Sequence, residues 1–178
     1  MEKRVLCLLT DGFEEIEAVT PIDLLRRAGI GVTIASLKDG VLTGRCGIRI
    51  EADELLDAVN PADFDLLLIP GGPGVGDLRA DGRAAELAKR FDAAGKCVAA
   101  ICAAPLVLMD AGLLKGRRFT AYHSVRAELG GGLEERVVED GNLITSRGAG
   151  TAMDFAFAII TRLGGEDLAE RVAEEIMA

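Results

Sequence analysis

Cys102 is the residue whose surroundings ask first for a chemical explanation. It lies in "KCVAAICAAPLVL", residues 96–108, with Ala100 two positions before it and Ala104 two after. Small, any, nucleophile, any, small is the spacing of a strand-to-helix elbow, with alanine where glycine is commoner, because so sharp a turn crowds both flanking positions. Pro105 suits the first turn of a following helix, where its missing N–H costs nothing. A thiol facing that helix start is favoured as thiolate. The same stretch also describes a buried core cysteine, the usual fate of a free thiol, and both readings stand on these residues. Cys7 and Cys97, in mid-strand, read as packing.

Three further features could serve that sulfur. In "DGFEEIEAVTPIDLLRRAG", at about 100° per residue, Glu17 falls within ~40° of Phe13 and Leu24, whereas Glu14 and Glu15 point further round. Glu17 is the acid predicted to face inward, and Pro21 removes the N–H that would bond its carbonyl, which predicts a distorted helix there. A carboxyl among apolar neighbours stays protonated near neutrality and donates a hydrogen bond; an exposed acid on an acidic helix is the alternative. His123, the single histidine, follows the strand-like "RRFTAY". It is either a solvated loop residue or a proton carrier. "LLLIPGGPGVGD" ends a strand with four glycines in six residues. Its spacing is wrong for a dinucleotide fingerprint, Pro73 deletes an amide that would hold phosphate, and no helix is expected to open at once. It serves as a plain turn or points an amide, such as that of Gly72, at an oxyanion near the sulfur.

The elements that must position these residues follow from alternation. "RVLCLL", "GVTIAS", "DLLLIP", "CVAAIC" and "NLITS" read as strands, separated by amphipathic segments such as "EEIEAVTPIDLLRRAG" and "AAELAKRFDAAG". That order predicts an α/β fold, a mostly parallel sheet with helices on both faces. Helices ending at Ala28 and Ala94 are each followed by a capping glycine, Gly29 and Gly95. "VEDGNLI" reads as a hairpin through Asp140-Gly141, and "TAMDFAFAIITRLGG" and "EDLAERVAEEIMA" as two closing helices. No repeat or linker divides residues 1–178, so one domain is expected.

Composition narrows the function classes. The chain is 49% hydrophobic with a formal charge of −9, which suits a packed domain and argues against a phosphate-tracking nucleic-acid groove. No run reaches the ~18 apolar residues of a membrane span, and the opening apolar run is too brief for a signal peptide, so a cytoplasmic protein without a membrane partner is expected. Cys7, Cys46, Cys97 and Cys102 have no CxxC spacing and no cluster with histidine, so reduced thiols are expected rather than disulfides or a metal site.

Taken in order, "DGFEEIEAVTPIDLLRRAGI", "IPGGPG", "AAICAAP", "AYHS" and "TSRGAGTAMDFA" resemble the ThiJ/PfpI superfamily, in the branch of the Parkinson's-disease deglycase DJ-one and its bacterial relatives. The resemblance runs from about Lys3 to Leu163. It implies a flavodoxin-like three-layer sandwich, usually a homodimer, with Cys102 as nucleophile, Glu17 as its protonated acid partner and His123 nearby. Gly72 and Ala103 match the positions whose amides form the oxyanion site. It further implies cofactor-free glyoxalase III or deglycase chemistry on a small aldehyde or glycated substrate, or alternatively a redox sensor or holdase in which Cys102 is oxidised to a sulfinate held by Glu17. The protease-like branch carries histidine directly after the cysteine, where this chain has Ala103, so peptidase activity is not expected. The glutamine-amidotransferase relatives need a glycine two after their cysteine and a downstream H-x-E. This chain has Ala104 and "HSV", which argues against ammonia chemistry.

Overall fold

The computed structural model describes residues 2–178. Along the chain, β1 (Arg4–Leu9), α1 (Glu15–Arg27) and β2 (Gly31–Ser36) are followed by β3 (Val41–Thr43), β4 (Arg49–Glu51), β5 (Glu54–Leu55) and β6 (Leu66–Ile69). Then come α2 (Val75–Asp81), α3 (Arg83–Ala93), β7 (Cys97–Ile101), α4 (Pro105–Asp110) and α5 (Arg126–Leu129). The chain closes with β8 (Val137–Asp140), β9 (Leu143–Ser146), α6 (Ala152–Gly164) and α7 (Glu166–Glu175).

Seven strands form one sheet in the order β5-β2-β1-β6-β7-β9-β8, and β3 pairs with β4 apart from it. All neighbours in the large sheet are parallel except β8 and β9. The five central strands, β2-β1-β6-β7-β9, have the flavodoxin-like order. Because both faces are covered, the strands are apolar throughout rather than alternating. In β1, Val5, Cys7 and Leu9 pack with α1, α6 and α7, while Leu6 and Leu8 pack with α2, α3 and α4 on the other face. Chain order reverses between β1 and β6. In an open sheet of this kind ligands bind beyond the carboxyl ends of the strands at that crevice, which here means residues 10–14, 70–74 and 102.

The expected caps form: Gly29 and Gly95 follow α1 and α3 at φ of 72° and 69°. Three local expectations are corrected. A helix does open at once after the glycine loop, since α2 begins at Val75 directly behind Gly74. "RRFTAY" contributes only an isolated bridge between Thr120 and Leu133, because Thr120 spends its amide and hydroxyl on Thr145 and on the Leu133 carbonyl. The late hairpin turns on Gly141 and Asn142, one residue later than expected, with Asp140 still paired to Leu143. α1 itself runs from Glu15 to Arg27 with Pro21 inside it. Among the described residues no helix is long and apolar enough to cross a membrane.

Candidate active site

Cys102 occupies the residue after β7, at φ 66°, one of two described non-glycine residues with positive φ. A side chain there is strained by about 1–3 kcal/mol, so the surroundings must hold it. They do so from both sides: the Cys102 amide donates to the Ser146 carbonyl at 2.9 Å, and the Tyr122 amide donates to the Cys102 carbonyl at 2.9 Å. Ala100 and Ala104 are fully buried, as the elbow spacing demands, and Pro105 opens α4.

Glu17 reaches this elbow from α1. It is only 1% exposed, and its Oε2 accepts from the Gly71 amide at 2.9 Å. Gly71 is glycine for a steric reason: a Cβ there would lie 2.5 Å from Glu17 Oε2 and 2.6 Å from Cys102 Cβ. The glycine loop is itself locked to the turn before α1. The Glu14 amide donates to the Gly71 carbonyl at 3.0 Å and the Gly74 amide to the Gly12 carbonyl at 3.1 Å. Gly72, at φ 99°, has no room for a side chain either, since a Cβ would come within 2.5 Å of the Glu14 amide.

Electrostatics tie the two reactive groups together. Burial pushes the Glu17 carboxyl up to about 7, outweighing its hydrogen bonds with Cys102 and the Gly71 amide; Glu14 pushes it further up and Arg45 pulls it down. Burial also pushes the Cys102 thiol up, and an ionised Glu17 pushes it further by charge and hydrogen bonding, to about 12. The amides of Ala103 and Gly72 pull the other way by bonding the sulfur. Protonating Glu17 removes its charge and turns it into a donor, which leaves three donors aimed at the sulfur. The pair therefore shares a proton and titrates as a unit.

The structure thus brings together Cys102, Glu17, Gly72 and Ala103. His123 lies one residue beyond Tyr122, exposed at the start of a short turn, its ring 4.2 Å from that of Tyr122 between centroids. Among the described residues its imidazole makes no hydrogen bond to Cys102 or Glu17. Two residues escaped the sequence reading. Gly71, read only as part of a glycine run, supplies the amide that holds Glu17. Glu15, placed further round the helix, is also buried, at 5% exposure, because the β3–β4 hairpin covers it. Its Oε1 accepts from the amides of Cys46 and Ile48 at 2.7 and 3.3 Å, so it clamps that hairpin to the start of α1. No helical wheel contains this, since the hairpin arrives from outside the helix.

Cys7 and Cys97 are buried in strands and Cys46 is exposed, all as free thiols. Burial pushes the Cys7 thiol up, and that of Cys97 up to about 12. Among the described residues no group of histidine, cysteine and acid side chains could hold a metal ion.

A flavodoxin-like sheet with a strained cysteine elbow at its switch point and a buried acid against the sulfur defines a class of cysteine-centred α/β proteins. The chain belongs to the DJ-1/PfpI family, whose model matches residues 3–162. It is 38% identical to protein dj-1beta of Drosophila melanogaster, over 99% of this chain and 98% of that one. The crystal structure of that protein superposes with a TM-score of 0.92, covering 100% of this chain and 99% of the other. Deglycase PfpI of Pyrococcus furiosus is 39% identical over 83% of this chain and 91% of its own. An oxidized form of Toxoplasma gondii DJ-1 matches with a TM-score of 0.92 at 34% identity, over 98% of each chain.

Proposed function

We propose that the protein is a cofactor-free, cysteine-dependent stress-protection enzyme acting on α-oxoaldehydes or their early glycation adducts. The observation that carries this reading is the buried Glu17, whose carboxyl burial pushes up to about 7, set against a cysteine held at positive φ whose thiol the amides of Ala103 and Gly72 pull down. The relative named as a deglycase supports the same class of chemistry.

The residues divide the work as follows. The Cys102 sulfur attacks the aldehyde carbon, a C–S bond forms, the carbonyl electron pair moves to oxygen, and Glu17 delivers its proton there. The amides of Gly72 and Ala103 stabilise the charge developing on that oxygen. As a carboxylate, Glu17 then takes the proton from the same carbon. The freed pair makes an enediol as the neighbouring oxygen is protonated; the proton held by Glu17 then returns to the second carbon while the hydroxyl on the first carbon gives up its proton, which offsets the one gained by the neighbouring oxygen, and the thioester of a 2-hydroxy acid is left. One carbon is oxidised and its neighbour reduced, so no external electron acceptor enters. Water cleaves the thioester and restores the thiol. His123, on the open side, is assigned to relay protons to solvent.

Lactate release from methylglyoxal by the purified protein tests this. Turnover should be lost in Cys102→Ala, and full activity in that variant would overturn the reading. A second reading rests on the same Glu17: its O–H would hold the oxygen of a Cys102 sulfinate, making the protein a redox sensor or holdase. Peroxide that yields a stable sulfinate in a protein without turnover would favour it.

A further inference from the structure

A cavity of about 450 Å³ is built on the segments that follow Ala121 and Ser146, and of the residues used in the chemistry above it includes His123 alone. Its walls include Tyr122, His123, Arg126, Arg136, Arg147 and Glu134. The chain segments that make it are those that brace Cys102: Tyr122 donates its amide to the Cys102 carbonyl, and Arg147 directly follows Ser146, whose carbonyl accepts from Cys102.

Its charge is unusual for this chain. Three guanidinium groups converge in a protein whose formal charge is −9. Two are committed: Arg126 pairs with the Glu134 carboxylate and Arg136 with Asp154. Arg147 is half-buried; its guanidinium donates to the backbone carbonyl of Glu134 at 3.0 Å and has no carboxylate partner among the described residues. A cation kept partly from water without a counter-charge favours an anion from outside. Glu134 does not supply that charge: its side chain is 83% exposed and is directed to Arg126.

We infer that this cavity is a subsite for an anionic group, carboxylate or phosphate, carried on the substrate that Cys102 attacks. The inference deepens the enzymatic reading and rests on it for the word substrate. An α-oxoaldehyde with such a tail would place its aldehyde at the elbow and its charge on Arg147. An uncharged oxoaldehyde would forgo that contact.

The test compares three substrates: methylglyoxal, 4,5-dioxopentanoate with a terminal carboxylate, and hydroxypyruvaldehyde phosphate. The wild type should favour at least one charged substrate over methylglyoxal by about tenfold in kcat/KM, mostly through KM, and the preferred tail distinguishes carboxylate from phosphate. Arg147→Gln, which keeps a donor for the Glu134 carbonyl but removes the charge, should lower that preference at least fivefold, and Arg147→Lys should restore most of it. Equal use of all three substrates, or an equal loss on all three in Arg147→Gln, would overturn the subsite. Calorimetry of the resting protein with inorganic phosphate and with acetate separates this from the enzymatic reading. If no oxoaldehyde is turned over, that reading fails, whereas anion binding weakened about tenfold in Arg147→Gln still upholds the cavity. Absence of binding by either anion, or binding unchanged in Arg147→Gln, rejects it.

Discussion

At the scale of single residues, the proton between Glu17 and Cys102 decides what the site can do. If the proton rests on Glu17 and the sulfur is ionised, Glu17→Gln leaves a weaker donor and Glu17→Ala none. The Cys102 pKa, followed by thiolate absorbance, should then rise modestly in the first variant and further in the second. If the acid is the group that ionises, both substitutions remove a negative charge that pushes the thiol up, and the pKa should fall; that result would reject the proposed mechanism. The same carboxyl bears on stability. It is raised from 4.5 to about 7 in the folded protein, so the native state holds a proton that the unfolded chain has released. This contribution is complete below about pH 4.5 and is lost as pH rises through 7, amounting to about 3 kcal/mol. Urea unfolding across that window should show the decline, and Glu17→Gln should flatten it; an identical slope in the variant counts against a buried, protonated acid.

Elements explain why these residues meet. The strands β1, β6 and β7 all end at the switch point, so the turn before α1, the glycine loop and the elbow are brought to one place by topology alone. Much of this was legible in advance: alternation predicted the parallel sheet, alanines around Cys102 predicted the elbow, and the wheel placed Glu17 inward. Other features were not legible because distant segments create them. Gly71 looks like any turn glycine until Glu17 and Cys102 arrive on either side, and Glu15 looks exposed until β3 and β4 fold over it. Gly71→Ala should therefore cost about 1–3 kcal/mol in thermal or urea unfolding through overpacking and should also displace the acid from the sulfur. Gly76→Ala, in α2 with nothing within 4 Å of the new Cβ, should be neutral or stabilising by up to ~1 kcal/mol. Equal effects at the two positions would contradict the packing described for the glycine loop.

Viewed as a whole molecule, the chain leaves a set of apolar side chains uncovered on the α1 side. Ile16, Val19, Ile48 and Met153 are 43–54% exposed, and Val19 and Met153 share one surface cavity with Ile176. Exposed apolar side chains grouped as are Val19 and Met153 suit an association site, and we propose that the homodimer expected from the sequence covers them. Sedimentation at micromolar concentration should give twice the 18.7 kDa chain mass, and Val19→Arg should shift it to the monomer; a wild-type monomer would sink the assignment. The brace around Cys102 carries a separate consequence, for the order of events in folding. The elbow is held by Ser146 and Tyr122, and its acid comes from position 17, so these contacts join points spread over most of the chain. Contacts of such long sequence separation form late. A nascent or partly unfolded chain thus carries an ordinary cysteine at this position, and the site's reactivity comes into being with the completed fold, which makes the thiol a reporter of maturity for the molecule that bears it.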